Sequence, residues 1–285
     1  MTRSIEVVPL GQALGAELRG IDASVPLTDD QRARIIAALD AHGVVVLRKQ
    51  QLTPRQQVAL CQKLGKMRVS FMNDLSVPGV PELTVVSNIV ENGKPIGLVD
   101  AGALWHCDGS YLPNPDLYTV LHALEIPQRD GQTLGDTLFL STCAAYDALP
   151  DALRKALDDA EAVHSLTHHI QKKLDNNFKA PPVKDPKPDV VHPAVRVHPN
   201  SGRRCLYLTE GHTKELVGFS PEQSAAILKQ VAEHVKQPQF VYRHRWQEGD
   251  LLIWDNCSTQ HLAITDYGTL RRRLHRAGIE SGALA

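Results

Sequence analysis

Leu251-Leu252-Ile253-Trp254-Asp255-Asn256-Cys257-Ser258-Thr259-Gln260-His261 runs from an unbroken apolar stretch through turn-forming residues to a histidine. The apolar residues, stopped by Asp255-Asn256, read as a buried strand. His261 gains weight from His106-Cys107-Asp108, which closes 153 residues earlier. On a strand, side chains two residues apart leave the same face, so His106 and Asp108 can share one ion while Cys107 points away. If the chain doubles back, His261 completes a set of two histidines and one carboxylate with the other positions open. Non-haem Fe(II) oxygenases use that facial donor set.

Further strands are predicted at Gly43-Val44-Val45-Val46-Leu47, Glu82-Leu83-Thr84-Val85-Val86-Ser87, Tyr118-Thr119-Val120-Leu121-His122-Ala123-Leu124 and Phe240-Val241-Tyr242-Arg243-His244. Leu27-Thr28-Asp29-Asp30, followed by Ile35, Ile36 and Leu39, predicts a capped amphipathic helix that stops near Gly43. Leu52-Thr53-Pro54 predicts a second through about Leu64, with Thr53 as its cap and Pro54 in its first turn. Helices are also expected over 142–149, 150–160 and 220–235. Segment 172–193, rich in proline and lysine, reads as a long loop, and the stretch around 165–193 as a lid or active-site loop. Many short strands, with ligand candidates on two distant ones and helices near the N-terminus, predict a mainly β fold with flanking helices. The expected form is a double-stranded β-helix (jelly roll), with residues 1–285 as a single domain and the ligands at its open mouth.

Across 285 residues the formal charge is −1 and 42% of side chains are apolar, which describes an ordinary globular protein with a large core. Neither a nucleic-acid nor a membrane partner is implied. The chain lacks an apolar leader after Met1-Thr2-Arg3-Ser4-Ile5-Glu6, so a cytoplasmic location is expected. Cys61, Cys107, Cys143, Cys205 and Cys257 form no CxxC pair, so they are expected to be reduced and buried. His168-His169 reads as a solvated helix face or loop, His198 and His244 as satisfied by backbone partners, and His275 as outside the site.

Trp105-His106-Cys107-Asp108, Gly135-Asp136-Thr137-Leu138-Phe139, Trp254-Asp255-Asn256, Gln260-His261 and Arg271-Arg272-Arg273-Leu274-His275-Arg276 follow one another in order. Together they resemble the taurine/2,4-dichlorophenoxyacetate dioxygenase family, from about Gly15 to Gly278. That resemblance implies a clavaminate synthase-like jelly roll using Fe(II), with 2-oxoglutarate and O2 as co-substrates. It makes His106, Asp108 and His261 the iron ligands. It also implies a small-molecule substrate, released succinate and CO2, and a homodimer or homotetramer.

By the same resemblance Arg272 grips the distal carboxylate of 2-oxoglutarate, a task for which a rigid guanidinium fork suits better than a lysine. Thr137 matches the threonine that contacts the same carboxylate, with Thr133 as a rival because the preceding turn is long. Arg276 stands where taurine-type enzymes hold a substrate anion, with a structural salt bridge, for example to Glu210 or a neighbour of Asp108, as the competing reading. Ser70, Asn73, Asn88 and Tyr111 are further substrate-pocket candidates. Phe71, Met72, Trp105 and His212 are weighed beside them. Ser70, Asn73 and Gly102 replace the residues that surround taurine, which disfavours taurine itself and leaves sulfonates, sulfate esters, aryloxyacids or amino-acid-like compounds. Two other readings compete: a jelly-roll metal hydrolase or isomerase, and a non-catalytic ligand-binding protein. The first has no need of the Arg272 fork, and the second would be expected to have lost a metal ligand.

Overall fold

The computed structural model describes residues 4–69, 73–180 and 187–281. Two facing sheets form its centre. In order of pairing, the larger runs Glu6–Pro9, Ala16–Arg19, Val44–Leu47, Leu251–Asp255, Asp116–Glu125, Arg273–Glu280, Val80–Ser87 and Ser76–Val77, with Met67–Arg68 added against Arg273–Glu280. The smaller sets Thr137–Ser141 between Val241–His244 and Thr259–Ala263. Strands distant in sequence therefore lie side by side, as a jelly roll requires.

Val44–Leu47 illustrates why these residues form this architecture. Val45 and Leu47 face one core and Val44 and Val46 the opposite one, so a strand buried on both sides has no polar face to show. Leu251–Asp255 repeats the alternation, with Leu251 and Ile253 on the first side and Leu252 and Trp254 on the second. Helices α1 (Asp29–His42) and α2 (Pro54–Leu64) cover the first core through Ile35, Leu39, Val58 and Cys61. Phe139, Trp246, Trp254 and Leu274 fill the second, between the sheets. Four more helices follow: α3 (Thr142–Asp147), α4 (Asp151–Leu157), α5 (Leu166–Asp175) and α6 (Pro221–Val235). Of these, α3, α4 and α6 pack on the outer face of the small sheet around Leu140, Tyr146, Leu157 and Val231.

Local chemistry sets the helix starts. Thr28 with Gln31, Thr53 with Gln56 and Ser220 with Gln223 each form a reciprocal capping box, and Pro54 and Pro221 occupy the first turn behind two of them. Each cap satisfies amides that a helix start leaves open, worth about 1 kcal/mol. The expected helix starts and the strands around 43–47, 82–87, 118–124, 240–244 and 251–254 are present.

Two expectations need correction. His106-Cys107-Asp108 is not a strand: His106 makes an isolated bridge to His261 and the chain turns at Asp108. Segment 172–193 is also more regular at its two ends than a loop, because α5, capped by Ser165, runs to Asp175, and Val190–Pro193 pairs with Glu161–His164; residues 181–186 lie outside the described residues. Among the described residues no helix is long and apolar enough to cross a membrane.

Candidate active site

Strand parity gathers the candidate residues between the two sheets. Phe139 faces the inter-sheet core, and Thr137, two residues earlier, shares its face. His261 is the cross-strand partner of Phe139, with its ring 5.8 Å from Phe139 and 4.7 Å from Trp254. Leu121 and Ala123 look into the same space from Asp116–Glu125, which places Thr119 there, and Leu274 does so from Arg273–Glu280, which places Arg276 there.

His106 Nε2 lies 3.7 Å from one Asp108 oxygen and His261 Nε2 lies 3.8 Å from the other. The three donor atoms fall within 4.8 Å of one another, compact enough to surround one ion. His106 Nδ1 is 2.7 Å from the Leu104 carbonyl oxygen, a bond that needs the proton on Nδ1 and so leaves the Nε2 lone pair for a metal. The turn at Asp108, rather than strand alternation, aims its carboxylate.

A buried network holds that turn. The Thr119 hydroxyl donates to Asp108 Oδ2 at 2.7 Å, and the Asp108 amide donates to Asn256 Oδ1 at 3.1 Å. Asn256 donates onward to the Thr119 hydroxyl at 2.9 Å and accepts from the Trp254 indole at 3.1 Å. Sequence reasoning missed the roles of Thr119 and Asn256, although Asn256 belongs to a quoted motif. Replacing Asn256 with alanine or Thr119 with valine is expected to weaken Fe(II) affinity about 10–100-fold, read by anaerobic metal titration. Unchanged affinity would show that the network does not orient Asp108.

For Arg276 the geometry matches the salt-bridge reading. Its Nη2 lies 3.0 Å from Asp108 Oδ1 and 3.3 Å from Asp116 Oδ2, so two carboxylates of the chain already occupy it. Burial is the largest influence on Asp108 and works against its charge, yet Arg276, His261, His106 and the Thr119 hydroxyl together outweigh it and hold this carboxyl well below the ordinary range. Tyr111 stands near, its ring 5.1 Å from that of His212, and burial pushes its phenol up to about 12.

Arg272 is in the opposite situation. It is 5% exposed, its Nη2 donates to the Gly135 carbonyl oxygen at 3.3 Å, and its Nε has no partner. Among the described residues no carboxylate forms an ion pair with it. Gly135 has φ +75°, and a Cβ there would lie 2.9 Å from Arg272 Nε, so glycine is what lets the guanidinium in. By contrast Arg271 is exposed and pairs with Glu125 at 2.7 Å. Thr137 accepts a bond from the Trp246 indole at 3.1 Å, which leaves its own proton to donate. Thr133 sits instead in a separate hairpin, outside the two central sheets.

Other candidates are placed differently from expectation. Asn88 is committed to the backbone: its Oδ1 takes the Arg272 amide at 2.9 Å, and its Nδ2 donates to the Leu270 and Gly268 carbonyls. Its polar atoms position Arg272 and are not left for a substrate. Trp105 packs into the outer core with Leu140 and Leu208. Asn73 opens a short 3-10 turn, Asn73–Leu75, whereas Ser70, Phe71 and Met72 lie outside the described residues. Cys107 donates to the Thr259 carbonyl, and burial pushes its thiol far up, so it is no nucleophile.

His169 is not on a solvated face. It stacks on His212 at 4.2 Å between ring centroids and lies 6.1 Å from the His106 ring. His244 binds a carboxylate rather than backbone, its Nε2 3.1 Å from Asp250. His198 has both kinds of partner: Nε2 is 2.6 Å from Asp255, and the Asn200 and Ser201 amides meet Nδ1 at 3.3 and 3.1 Å, the backbone contact expected of it. Asp255 also accepts from the amides of Cys257 and Ser258 at 2.7 and 2.8 Å, which shapes the turn leading to His261. Burial opposes a charge on His198, but the Asp255 carboxylate prevails and raises its pKa to about 9. A raised histidine stabilises the fold fully below its ordinary value of 6.5, and the contribution fades as pH climbs through about 9. The stability gap between wild type and His198→Gln in urea should therefore narrow from pH 6.5 to pH 9.5; a constant gap would contradict the charged pair.

The profile of the family described as taurine catabolism dioxygenase TauD, TfdA family matches residues 6–277. Pentalenolactone F synthase from Streptomyces arenae is 29% identical, over 95% of this chain and 94% of its own. The alpha-ketoglutarate-dependent 2,4-dichlorophenoxyacetate dioxygenase of Cupriavidus pinatubonensis is 31% identical, over 96% of this chain and 97% of its own. A crystal structure of a taurine dioxygenase from Burkholderia xenovorans superimposes with a TM-score of 0.82 at 32% identity, covering 98% of this chain and 92% of that one.

Proposed function

Because the chain belongs to the taurine catabolism dioxygenase TauD, TfdA family and is a 2-oxoglutarate-dependent non-haem iron dioxygenase, we propose that it hydroxylates a small anionic organic substrate at iron held by His106, Asp108 and His261. Bound Fe(II) supplies the activation of O2, by which 2-oxoglutarate, O2 and R–H become succinate, CO2 and R–OH. Binding, orientation and exclusion of water fall to the side chains.

The observation that carries this reading is a three-donor cluster within 4.8 Å beside a buried guanidinium with no carboxylate of its own. Arg272 can take the distal carboxylate of 2-oxoglutarate in a bidentate grip, with Thr137 as a second donor. Thr119 and Asn256 keep Asp108 aimed, and the Leu104 carbonyl keeps the His106 proton on Nδ1. Tyr111 stands on the substrate side, and Arg276 is committed to Asp108 and Asp116. The compounds in two relatives' names, 2,4-dichlorophenoxyacetate and taurine, each carry an anionic group. Hydroxylation beside a heteroatom would collapse to a carbonyl and release the heteroatom group; elsewhere it would stop at the alcohol. We further place α5 and Val190–Pro193 as a cover over the mouth, residues 181–186 of the expected lid lying outside the described ones, in a cytoplasmic homodimer or homotetramer with no nucleic-acid or membrane partner.

Sulfonates, alkyl sulfates, aryloxyacetates and amino acids, offered with Fe(II), ascorbate and 2-oxoglutarate, should include one class that stimulates succinate release above the substrate-free rate. Stimulation by neutral analogues alone would refute the anionic substrate.

A further inference from the structure

Lys173 lies one turn beyond His169 on α5 and faces the same way. It is 5% exposed and its ammonium donates to the Asp100 carbonyl oxygen at 2.9 Å. Among the described residues no carboxylate forms an ion pair with it; the Asp100 carboxylate is engaged by the Lys179 amide at 3.1 Å. Asp100 belongs to a segment that lines the mouth. Two residues on, the Gly102 carbonyl accepts from Ala263 at 2.8 Å, and a Cβ on Gly102 would lie 3.4 Å from His106 Cε1. Beside it, the His169 ring stacks on His212, whose Nδ1 is buried without a hydrogen-bond partner. An ammonium that can donate three bonds but has one acceptor here is costly to bury unless a ligand completes it.

Charge balance points the same way. The two charges of Fe(II) are matched by Asp108 and the chelating carboxylate of 2-oxoglutarate, and Arg272 is matched by the distal one. Arg276 and Arg68 share Asp116, with Glu280 beyond. Lys173 feels the Asp100 carboxylate but forms no ion pair with it among the described residues, and burial outweighs that attraction, which leaves an incompletely matched positive charge on the wall of the mouth.

We propose that Lys173 holds the anionic group of the primary substrate against the His169–His212 stack and thereby selects anions over neutral analogues. The proposal rests on the oxygenase reading above. A competing role for the same contact is a strap that pins α5 to Asp100.

The test uses Lys173→Met and Lys173→Arg in protein loaded with Fe(II) and 2-oxoglutarate and kept free of oxygen. Calorimetry would compare phenoxyacetate, hexyl sulfate and pentanesulfonate with the neutral phenoxyacetamide and hexan-1-ol. Wild type should bind at least one anion; the methionine variant should bind it about 10–100-fold more weakly, and the arginine variant within about fivefold of wild type. Affinity for the neutral compounds and for 2-oxoglutarate should not move. Any of three results would overturn the proposal: no anion binding by wild type, an equal loss for anions and neutral compounds, or lowered melting temperatures with anion affinity intact. Lysine-dependent anion binding without succinate release under oxygen would instead sink the oxygenase reading, and succinate release indifferent to Lys173→Met would sink only the role of Lys173.

Discussion

Asp108→Ala will bring Fe(II)-dependent succinate formation down to background, a larger loss than the roughly 10–100-fold expected for a hydrogen-bonding neighbour such as Asn256. Its carboxylate stands between His106 and His261, and without it two neutral imidazoles remain to hold a dication. The same substitution removes one of the two carboxylates around Arg276. Breaking a buried ion pair costs about 3–5 kcal/mol when the remaining charge is left alone. Asp116 stays in place at 3.3 Å, so the fold should lose less than that. Asp108→Asn keeps the shape without the charge and separates the two effects: it should be as inactive as alanine with a smaller drop in melting temperature. Activity retained in either variant would remove Asp108 from the metal site.

Arg272→Met should have two effects of opposite sign. With no co-substrate present, the variant should be more stable than wild type by about 1–4 kcal/mol, because an apolar side chain replaces a buried charge lacking a carboxylate partner. With 2-oxoglutarate, the order reverses. Wild type gains stability as ligand fills the site, about 2.7 kcal/mol at a hundredfold excess over Kd, whereas the variant should gain little. Half-saturation by 2-oxoglutarate should rise on the order of 10–100-fold, and Arg272→Lys should recover only part of it, since a point charge cannot make the paired grip. Thermal melts with and without 2-oxoglutarate read both effects. An unchanged response to the ligand would withdraw the carboxylate-fork assignment.

Much of the architecture was legible because local signals and burial agreed. Thr28, Thr53-Pro54 and Ser220-Pro221 announce helices through capping chemistry that depends on nearby residues alone. Val44–Leu47 and Leu251–Asp255 announce doubly buried strands because they offer no polar face. The donor set was legible for a chemical reason: few purposes bring an HxD pair and a remote histidine together. What escaped was whatever depends on tertiary surroundings. The two-residue spacing of His106 and Asp108 suggested a strand, but a turn held by Asn256 and Thr119 does the aiming. Asn88 has the profile of a pocket residue until its three hydrogen bonds to the backbone are seen. His169 and Lys173 looked like part of a solvated basic run, since helix α5 is hidden among lysines and its inward face shows only against the Asp100 segment. For Arg276 a structural salt bridge was a legible alternative, but its partners, Asp108 and Asp116, are set by tertiary packing.

The most direct test of the metal-site assignment is anomalous diffraction from crystals soaked in Mn(II) with 2-oxoglutarate under nitrogen. One peak should appear within bonding distance of His106 Nε2, His261 Nε2 and an Asp108 oxygen, with the distal carboxylate of the co-substrate on Arg272. A peak elsewhere, or none between these three side chains, would contradict the account.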